Sequence, residues 1–322
     1  MVAGFAVVAA AFVFVCGAND GAAMLALAAR HREVPLWAVL ALLVSAVAAG
    51  PAIFGLAVAR TFTERLIDPV DPRGPLIVLV AVASAMLLVA ALTWRGVPTS
   101  ITLAVLGALA GAATTAGAGT SWSTLGKVLV VAAAAPFVGG GLGLLLGGLA
   151  RRLPTTHRLP GVLRAVHVVA FTGQSLAYAA NDGQKMFAVA GVGMAVARGA
   201  PGMRALGWPV LVALAVTFGA GAVASLRRMA RGATFGLLSM RPWRLVSAEL
   251  AAAAAVFGSA GLGAPVSMTQ SMAAGLVGAG ASQGVRRVRW QFARPVVLAW
   301  LVTLPIAILL GLGVGGLVRA SG

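Results

Sequence analysis

The sequence predicts an all-α integral membrane protein, and three observations lead to this fold class. Hydrophobic residues make up 60% of the 322 positions, charged residues only 10%, and the mean hydropathy is +0.99. The apolar residues form ten runs, most of them near the ~20 residues that a spanning helix needs. None of the runs alternates like a barrel strand, so all are predicted to be helical. They cover residues 2–29, 36–59, 76–94, 97–118, 125–149, 161–197, 208–226, 245–260, 264–282 and 294–318.

The remaining composition agrees with a helical bundle in lipid. The 42 glycines favour close approach of helix backbones and interruptions within helices. Because the polar stretches between runs are short, no soluble domain of any size is expected. The run 2–29 has no basic residues before it and is longer than a signal-peptide core, so we expect it to be retained. The single cysteine, Cys16, excludes an intramolecular disulfide framework.

The basic residues predict topology and not nucleic-acid binding. The formal net charge is +17, but the arginines lie in short loops between the apolar runs. Basic clusters recur at alternate boundaries, whereas the loop at residues 60–73 is balanced by acidic side chains. The positive-inside rule makes these clusters cytoplasmic, which predicts a multi-pass protein of the cell membrane with both termini outside.

The polar residues most foreign to their surroundings are two Asn-Asp pairs. The only asparagines, Asn19 and Asn181, lie in similar phrases within long apolar runs, and Asp20 and Asp182 follow them. A charged residue at a helix centre costs about 2.5–3.5 kcal/mol on insertion scales, so matching pairs indicate a site. Amide and carboxylate oxygens are hard ligands for sodium, and carboxylates can also carry protons. All four residues are therefore candidate ion ligands, with the two aspartates as possible sodium ligands.

Each pair is followed, in the same order, by a proline phrase, at 97–102 and at 264–269. Proline removes a backbone donor and disfavours helical geometry at the preceding residue, so the run breaks and a new helix begins. The exposed N–H groups and the positive end of the helix dipole attract anions, and hydroxyls add donors suited to tetrahedral oxyanions. The candidate anion-binding residues are Ser100, Ile101, Thr102, Ser267, Met268, Thr269 and Gln270, with Asn19, Asn181 and Lys185 beside them.

The repeated order of motifs predicts two related halves. We place an N-terminal repeat at 1–150, a cytoplasmic basic linker at 151–164 and a C-terminal repeat at 165–322. With the basic clusters inside, the run 161–197 crosses the membrane in the opposite sense to the run 2–29. This arrangement is typical of inverted-topology repeats, whose broken helices meet at a midplane site.

The motifs GANDGAA, AANDGQK, PTSIT and PVSMTQ resemble the paired signatures of the PiT inorganic phosphate transporter family. The resemblance implies an inverted-repeat transporter with about 10–12 membrane segments and two re-entrant hairpins around the anion. It implies phosphate import by symport with sodium or protons, alternating access between the repeats, and a homodimer in the bilayer. No cofactor beyond the coupling ion is implied. By motif position the Asn-Asp pairs bind ions and substrate, and Glu249 matches a family acidic position and is a further ion-binding candidate.

Several positions depart from the family pattern. Ile101 and Met268 stand where a hydroxyl is usual, Leu103 replaces a histidine, and Tyr178 stands where the second signature has a histidine. These changes make the predicted pocket less polar. The substrate therefore stays open among phosphate, a metal–phosphate complex and sulfate.

Alternatives also stay open for single residues. Lys185 could neutralise an aspartate or contact the anion, and Glu249 could form an interior salt bridge or coordinate an ion. His157 and His167 are expected at the membrane interface and not as ligands. Gln174 and Gln184 are weaker candidates, because an amide in a bundle often joins helices.

Three function classes are consistent with the motifs: an ion-coupled oxyanion symporter, an anion channel of related build, and a sensor that binds the anion without moving it. Buried acids next to two broken helices favour an occluded site over a continuous pore. The sequence has no nucleophile–base pair, phosphate-loop lysine motif or Cys/His metal spacing, so an enzyme is not expected.

Overall fold

The fold is all-helical in a computed structural model that describes residues 2–31, 34–67, 71–152, 159–200, 203–231 and 242–320. Two π-helical turns, Gly17–Gly21 and Thr61–Arg65, and a 3-10 turn, Val285–Arg287, accompany the α-helices. The bounds of the α-helices in these ranges are α1 Val2–Cys16, α2 Ala22–Ala28, α3 Leu36–Phe54, α4 Ala57–Arg60, α5 Gly74–Trp94, α6 Ile101–Ala116, α7 Trp122–Ala150, α8 Leu159–Ala180, α9 Asp182–Ala197, α10 Trp208–Arg231, α11 Pro242–Gly261, α12 Met268–Ala281 and α13 Trp290–Ala320.

Six of the described helical segments are long and apolar enough to cross a membrane. The helices α8 and α11 have 22 and 20 residues but are more polar, and α6, α9 and α12 have only 14–16 residues. The all-α membrane class is thereby confirmed, whereas the number of 10–12 membrane segments stays a prediction. The six segments are Val2–Ala28, Leu36–Phe54, Gly74–Trp94, Trp122–Ala150, Trp208–Arg231 and Ala293–Ala320.

The run 161–197 differs from the sequence prediction because it is interrupted. Asn181 has φ −126° and ψ −81°, outside the helical region, and separates α8 from α9. The equivalent Asn19 instead lies in the π-helical turn Gly17–Gly21, and α1 continues through this turn into α2. Both are local departures from α-helical geometry within an Asn-Asp motif. π-Turns such as the one at Asn19 are often found at functional sites.

Two helical hairpins, α5–α6 and α11–α12, dominate the arrangement of the motifs. Each hairpin turns at a glycine with positive φ, Gly96 at 70° and Gly263 at 64°, a conformation that L side chains rarely adopt. At the open end of the first hairpin, Arg73 Nη1 donates to the carbonyl of the last α6 residue at 2.6 Å. At the open end of the second, Arg244 donates to the Gln283 side chain. An arginine thus joins the start of each hairpin to its end.

Each hairpin packs against a helix from the other half of the chain. The helix α7 follows the first hairpin in sequence but packs against α11 and α12, and α13 follows the second hairpin but packs against α5 and α6. The same exchange occurs on the other side of the bundle, where α1 contacts α10 and α8 contacts α3. The two halves are therefore interlocked.

Glycines bring these exchanged helices into backbone contact. A Cβ atom at Gly311 of α13 would lie 2.3 Å from the Ala108 carbonyl oxygen of α6. A Cβ atom at Gly278 of α12 would lie 2.0 Å from the Gly140 carbonyl oxygen of α7. Such approach is the usual basis of helix association in lipid, where small residues provide the interface.

Some predictions concern residues that fall outside the described ranges. Residues 153–158 of the predicted linker 151–164, which include His157, are among them. The boundaries of the two predicted repeats stay predictions.

Replacement of Gly311 by alanine is predicted to destabilise the protein. The added methyl group overlaps the α6 backbone, and overpacking costs about 1–3 kcal/mol. The matched control is Gly313→Ala in the same helix, where an added Cβ meets no atom within 4 Å. Alanine is favoured over glycine by up to ~1 kcal/mol within helices, so this control should be neutral or slightly stabilised. Thermal unfolding midpoints of the detergent-purified variants measure the difference, and equal midpoints would contradict the packing.

Candidate functional site

The side-chain amide of Asn19 holds the tip of the first hairpin. Its oxygen accepts hydrogen bonds from the Thr99 amide and the Thr93 hydroxyl, both at 3.1 Å. Its nitrogen donates to the Thr99 carbonyl at 2.8 Å and to Asp20 Oδ1 at 2.6 Å. The Asn19 side chain thus bonds both the amide and the carbonyl of Thr99, the residue that follows Pro98. Asn19 and Thr99 are fully buried, where unsatisfied backbone groups would be costly.

Asn181 makes the corresponding contacts with the tip of the second hairpin. Its oxygen accepts from the Val266 amide at 3.1 Å, and its nitrogen donates to the Ala264 carbonyl at 2.9 Å. The Ser259 hydroxyl accepts a further bond from the same nitrogen at 3.0 Å. Val266 and Ala264 flank Pro265, so this asparagine also replaces the partners that a continuous helix would supply.

The two hairpin tips contact each other through reciprocal bonds. The Thr102 hydroxyl donates to the Val266 carbonyl at 2.6 Å, and the Thr269 hydroxyl donates to the Thr99 carbonyl at 3.1 Å. All four residues are buried. The structure therefore brings the two proline phrases and the two Asn-Asp pairs into one polar site, as the repeated motifs predict.

The two serines of the phrases cap their helices. Ser100 Oγ accepts from the Leu103 amide at 3.2 Å, and Ser267 Oγ accepts from the Gln270 amide at 3.5 Å. Ser267 also lies 2.9 Å from the Thr269 hydroxyl. Because Thr269 donates to Thr99, Ser267 is the donor in that pair. The Ser100 hydroxyl hydrogen has no acceptor among the contacts of the described residues.

Lys185 lies between the second Asn-Asp pair and both hairpins. Its ammonium donates to Asp182, to the Thr102 hydroxyl at 2.6 Å and to the Val266 carbonyl at 2.9 Å. Asp182 accepts a further bond from the Met268 amide at 2.8 Å. Lys185 and Asp182 are at most 3% exposed. Of the two interpretations of Lys185, neutralisation of an aspartate is the one that the contacts show.

Asp20 belongs to the same buried group of charges. It interacts electrostatically with Asp182 and Lys185 and is 2% exposed. When all three are ionised, the group has a formal charge of minus one. A buried group with uncompensated charge favours uptake of a cation or a proton.

Ile101 and Met268, which stand where hydroxyls are usual, begin α6 and α12. Their backbone amides lie at helix N-termini, and the Met268 amide donates to Asp182. An apolar side chain at these positions removes a hydroxyl but leaves the amide donor in place. Main-chain anion recognition is therefore compatible with the departure at Ile101, whereas the Met268 amide is already bonded to Asp182.

The glutamines do not behave alike. Gln184 accepts hydrogen bonds from the amides of Val58 and Ala59 at 2.9 and 3.1 Å, and it joins α9 to α4 as a structural contact. Gln270, a predicted anion ligand, instead lines an apolar cavity between α7, α12 and α13, together with Trp300. Gln174 donates only weakly, to Met268 Sδ at 3.9 Å.

Glu249 lies in a different polar cluster. His167 Nδ1 is 2.8 Å from Glu249 Oε2, and the His167 and His31 rings stack with centroids 3.7 Å apart. Among the described residues, no hydrogen bond joins Glu249 to either Asn-Asp pair. Ligand atoms of these three side chains lie within 4.8 Å of one another, so the cluster could hold a metal ion.

His167 lies inside the protein, where its side chain is only 1% exposed and contacts Glu249 on α11. Its position at the membrane interface stays a prediction. Neither His31 nor His167 belongs to a repeated motif, and they lie far apart in sequence. Their pairing depends on how α8 packs against its neighbours, which the sequence pattern does not give.

A helical membrane bundle whose buried polar residues meet at two interrupted helices is typical of membrane transport proteins. The particular family is established by comparison. The chain belongs to the phosphate transporter family, whose sequence model matches residues 16–172 and 151–311. Both Asn-Asp pairs and both proline phrases lie within the matched residues.

Relatives and a solved structure agree with this assignment. A probable low-affinity inorganic phosphate transporter of Bacillus subtilis is 28% identical over 260 residues, which cover 79% of this chain and 78% of that protein. A protein with the same description from Mycobacterium bovis is 33% identical over 240 residues, 72% of this chain and 57% of its own length. The solved structure of a sodium-dependent phosphate transporter has a TM-score of 0.82 at 16% identity and covers 99% of each chain. At this identity the match shows a common fold.

Replacement of Thr102 by valine is predicted to destabilise the contact between the hairpins. The isosteric change removes the donor to Val266 and a partner of the Lys185 ammonium, at an expected cost of about 1–3 kcal/mol. The control is Thr114→Val in the same helix, since among the described residues the Thr114 hydroxyl bonds only to the Ala110 carbonyl one turn earlier. Thermal unfolding of both variants compares the two, and a Thr102 variant as stable as the control would argue against the cross-hairpin bond.

Proposed function

We propose that this protein is a secondary active transporter that imports inorganic phosphate by symport with sodium or protons. The observation that carries this proposal is the meeting of the two hairpin tips, where helix N-termini and carboxylates occupy one buried site. Positive helix ends suit an oxyanion, and the adjacent carboxylates suit a cation. Family membership and the names of the relatives support phosphate as the substrate.

The anion is proposed to bind at the beginnings of α6 and α12. The first-turn amides of Leu103, Met268 and Gln270 already donate to side chains. The donors for the anion are therefore the amides of Ile101, Thr102 and Thr269 and the Ser100 hydroxyl, and the Lys185 ammonium lies at the edge of the site. Phosphate carries several acceptor oxygens, which matches this set of donors. Ile101 and Met268 stand where hydroxyls are usual, so sulfate and a metal–phosphate complex stay alternative substrates.

The coupling ion is proposed to bind at the Asn-Asp pairs, chiefly at Asp20. The carboxylate and the neighbouring amide and carbonyl oxygens are hard ligands. The solved structure of similar fold is described as sodium-dependent, which supports sodium, while a carboxylate in this environment also suits a proton.

The two hairpins are proposed to be re-entrant, and the halves to be inverted repeats that alternate access to the site. Two contacts support this: Arg73 joins the start of α5 to the end of α6, and Arg244 joins the start of α11 to the end of α12. Helices whose two ends are tied together enter and leave on one side. The matched roles of Asn19 and Asn181 support a common origin of the halves.

The protein is proposed to lie in the cell membrane as a homodimer with both termini outside. The basic residues at alternate boundaries support this orientation. Arg151 donates to the Ser282 carbonyl at 2.5 Å, which places the ends of α7 and α12 on one side together with the basic turn Val285–Arg287. The family resemblance of the motifs supports the dimer.

Purified protein in proteoliposomes is predicted to accumulate labelled phosphate when an inward sodium or proton gradient is imposed. Competition by sulfate, arsenate and divalent metal tests the substrate, and ionophores that collapse each gradient test the coupling ion. Flux that is independent of any gradient would indicate a channel. Binding of phosphate without uptake would indicate a sensor.

Replacement of Asp20 or of Asp182 by asparagine is predicted to abolish coupled uptake, because each change removes a carboxylate from the site. The control is Asp71→Asn, since Asp71 pairs with Arg73 at the hairpin's open end, away from the tips. Gradient-driven uptake measures the effect, and size-exclusion profiles check folding. Normal transport by both site variants would remove the ion-site assignment.

The double replacement Ser100→Ala with Ser267→Ala is predicted to weaken phosphate affinity. A hydrogen bond to a charged group contributes about 1.5–3 kcal/mol, so loss of the Ser100 donor corresponds to roughly tenfold or more in affinity. The Ser267 hydroxyl donates to Thr269, so its loss acts on the anion only through that neighbour. The KM of uptake and the Kd of direct binding report the change. Unchanged affinity would place the anion elsewhere.

A further inference from the structure

The ammonium of Lys185 lies among oxygens that would suit a sodium ion. Its three partners are the Asp182 carboxylate, the Thr102 hydroxyl at 2.6 Å and the Val266 carbonyl at 2.9 Å. Carboxylate, hydroxyl and carbonyl oxygens are the hard ligands that small cations prefer. Lys185 is 2% exposed, so bulk water does not replace these partners. The lysine therefore occupies a position that a free cation could occupy with the same ligands.

The other half of the site offers the same three kinds of oxygen without a lysine. By motif position they are the Asp20 carboxylate, the Thr269 hydroxyl and the Thr99 carbonyl. Thr269 donates to Thr99 at 3.1 Å, as Thr102 donates to Val266. The residue three positions after Asp20 is Ala23, whereas Lys185 stands three positions after the second aspartate. The two Asn-Asp motifs thus differ at this position, where the second motif has the positive charge of Lys185 and the first has a neutral alanine.

Charge balance gives this difference a consequence. Two buried aspartates need two positive charges if both are ionised, because an unpaired buried carboxylate is costly. Lys185, as a part of the chain itself, supplies one of these charges. One further cation at Asp20 neutralises the group before the anion enters.

We propose that Lys185 is a built-in cation that fills one of two equivalent cation positions, so that the transporter takes up one coupling cation per cycle, at Asp20. The proposal rests on the proposed function, since it concerns the cation side of the same site. Sodium and a proton are both monovalent and fit this position, and the experiments use sodium and an imposed pH gradient as separate arms.

The first test measures sodium binding without transport. Thermal unfolding midpoints of purified protein are compared in sodium chloride and in choline chloride at equal ionic strength, over a range of pH. Lys185→Met opens the second position, so its midpoint should rise more with sodium than the wild-type midpoint does, because a ligand that binds the folded state stabilises it. The double variant Asp182→Asn with Lys185→Met removes both charges and should lose this gain. The exposed Lys127→Met in α7 is the control and should respond like the wild type.

A sodium response of Lys185→Met no larger than that of the wild type at every pH overturns the proposal. So does a double variant that retains the gain, because the second position would then not depend on Asp182. If Lys185→Met cannot be purified, Lys185→Gln keeps a polar side chain without the charge and is expected to show the same gain.

The second test counts cations during transport. In wild-type proteoliposomes, the initial rate of phosphate uptake should depend on the coupling cation with a Hill coefficient near ~1, since cooperativity is limited by the number of sites. In the charge-removing variants that retain uptake, the dependence on sodium should become steeper. A wild-type coefficient well above 1, or accumulation that requires two cations per phosphate, overturns the single-cation proposal.

The two tests separate the possible failures. Absence of any phosphate uptake by the wild type would contradict the proposed function, whereas the sodium-linked stability of the variants would still report on Lys185. Uptake coupled to two cations would leave phosphate symport in place and remove only the role of Lys185.

Discussion

The structure depends on one constraint: backbone groups released by two prolines in the interior of a membrane protein must find partners. Water is scarce there, and each unsatisfied group is costly. Asn19 and Asn181 meet this requirement, since each side-chain amide both accepts from and donates to the backbone of a hairpin tip. Because an aspartate follows each asparagine, the same contacts place two carboxylates beside the tips. In each pair, the asparagine thereby satisfies the hairpin backbone, and the adjacent aspartate supplies a carboxylate to the proposed binding site.

Much of this arrangement could be predicted from sequence, because repeated motifs in the same order indicate equivalent positions in space. The convergence of the Asn-Asp pairs on the proline phrases is one example. The backbone at each pair could not be predicted, since one asparagine lies in a π-turn and the other at a helix break. The pairing of Glu249 with His167 could not be predicted either, because it depends on the packing of α8 against α11. Side chains outside repeated motifs, such as Gln270, take directions that depend on these long-range contacts.

Similarity at the level of the fold coexists with altered chemistry in the site. The solved transporter of similar fold shares only 16% of its residues with this chain. Ile101, one of the departures, begins α6, where the main-chain amide stays available as a donor. A pocket that binds largely through backbone amides tolerates such side-chain replacement. In the proposed anion site, selectivity would then depend on the few remaining side chains, among them Ser100 and Lys185.

The exchange of helices between the halves has a consequence for biosynthesis. The first hairpin, α5–α6, leaves the ribosome well before α13, the helix against which it packs. Until then the glycine-lined face of α6 has no protein surface to cover it, and the chain must hold an incomplete intermediate in the lipid. Assembly of the first half therefore waits for the last of the described helices to be synthesised, and a chain interrupted before α13 would present an unfinished surface to quality-control proteases.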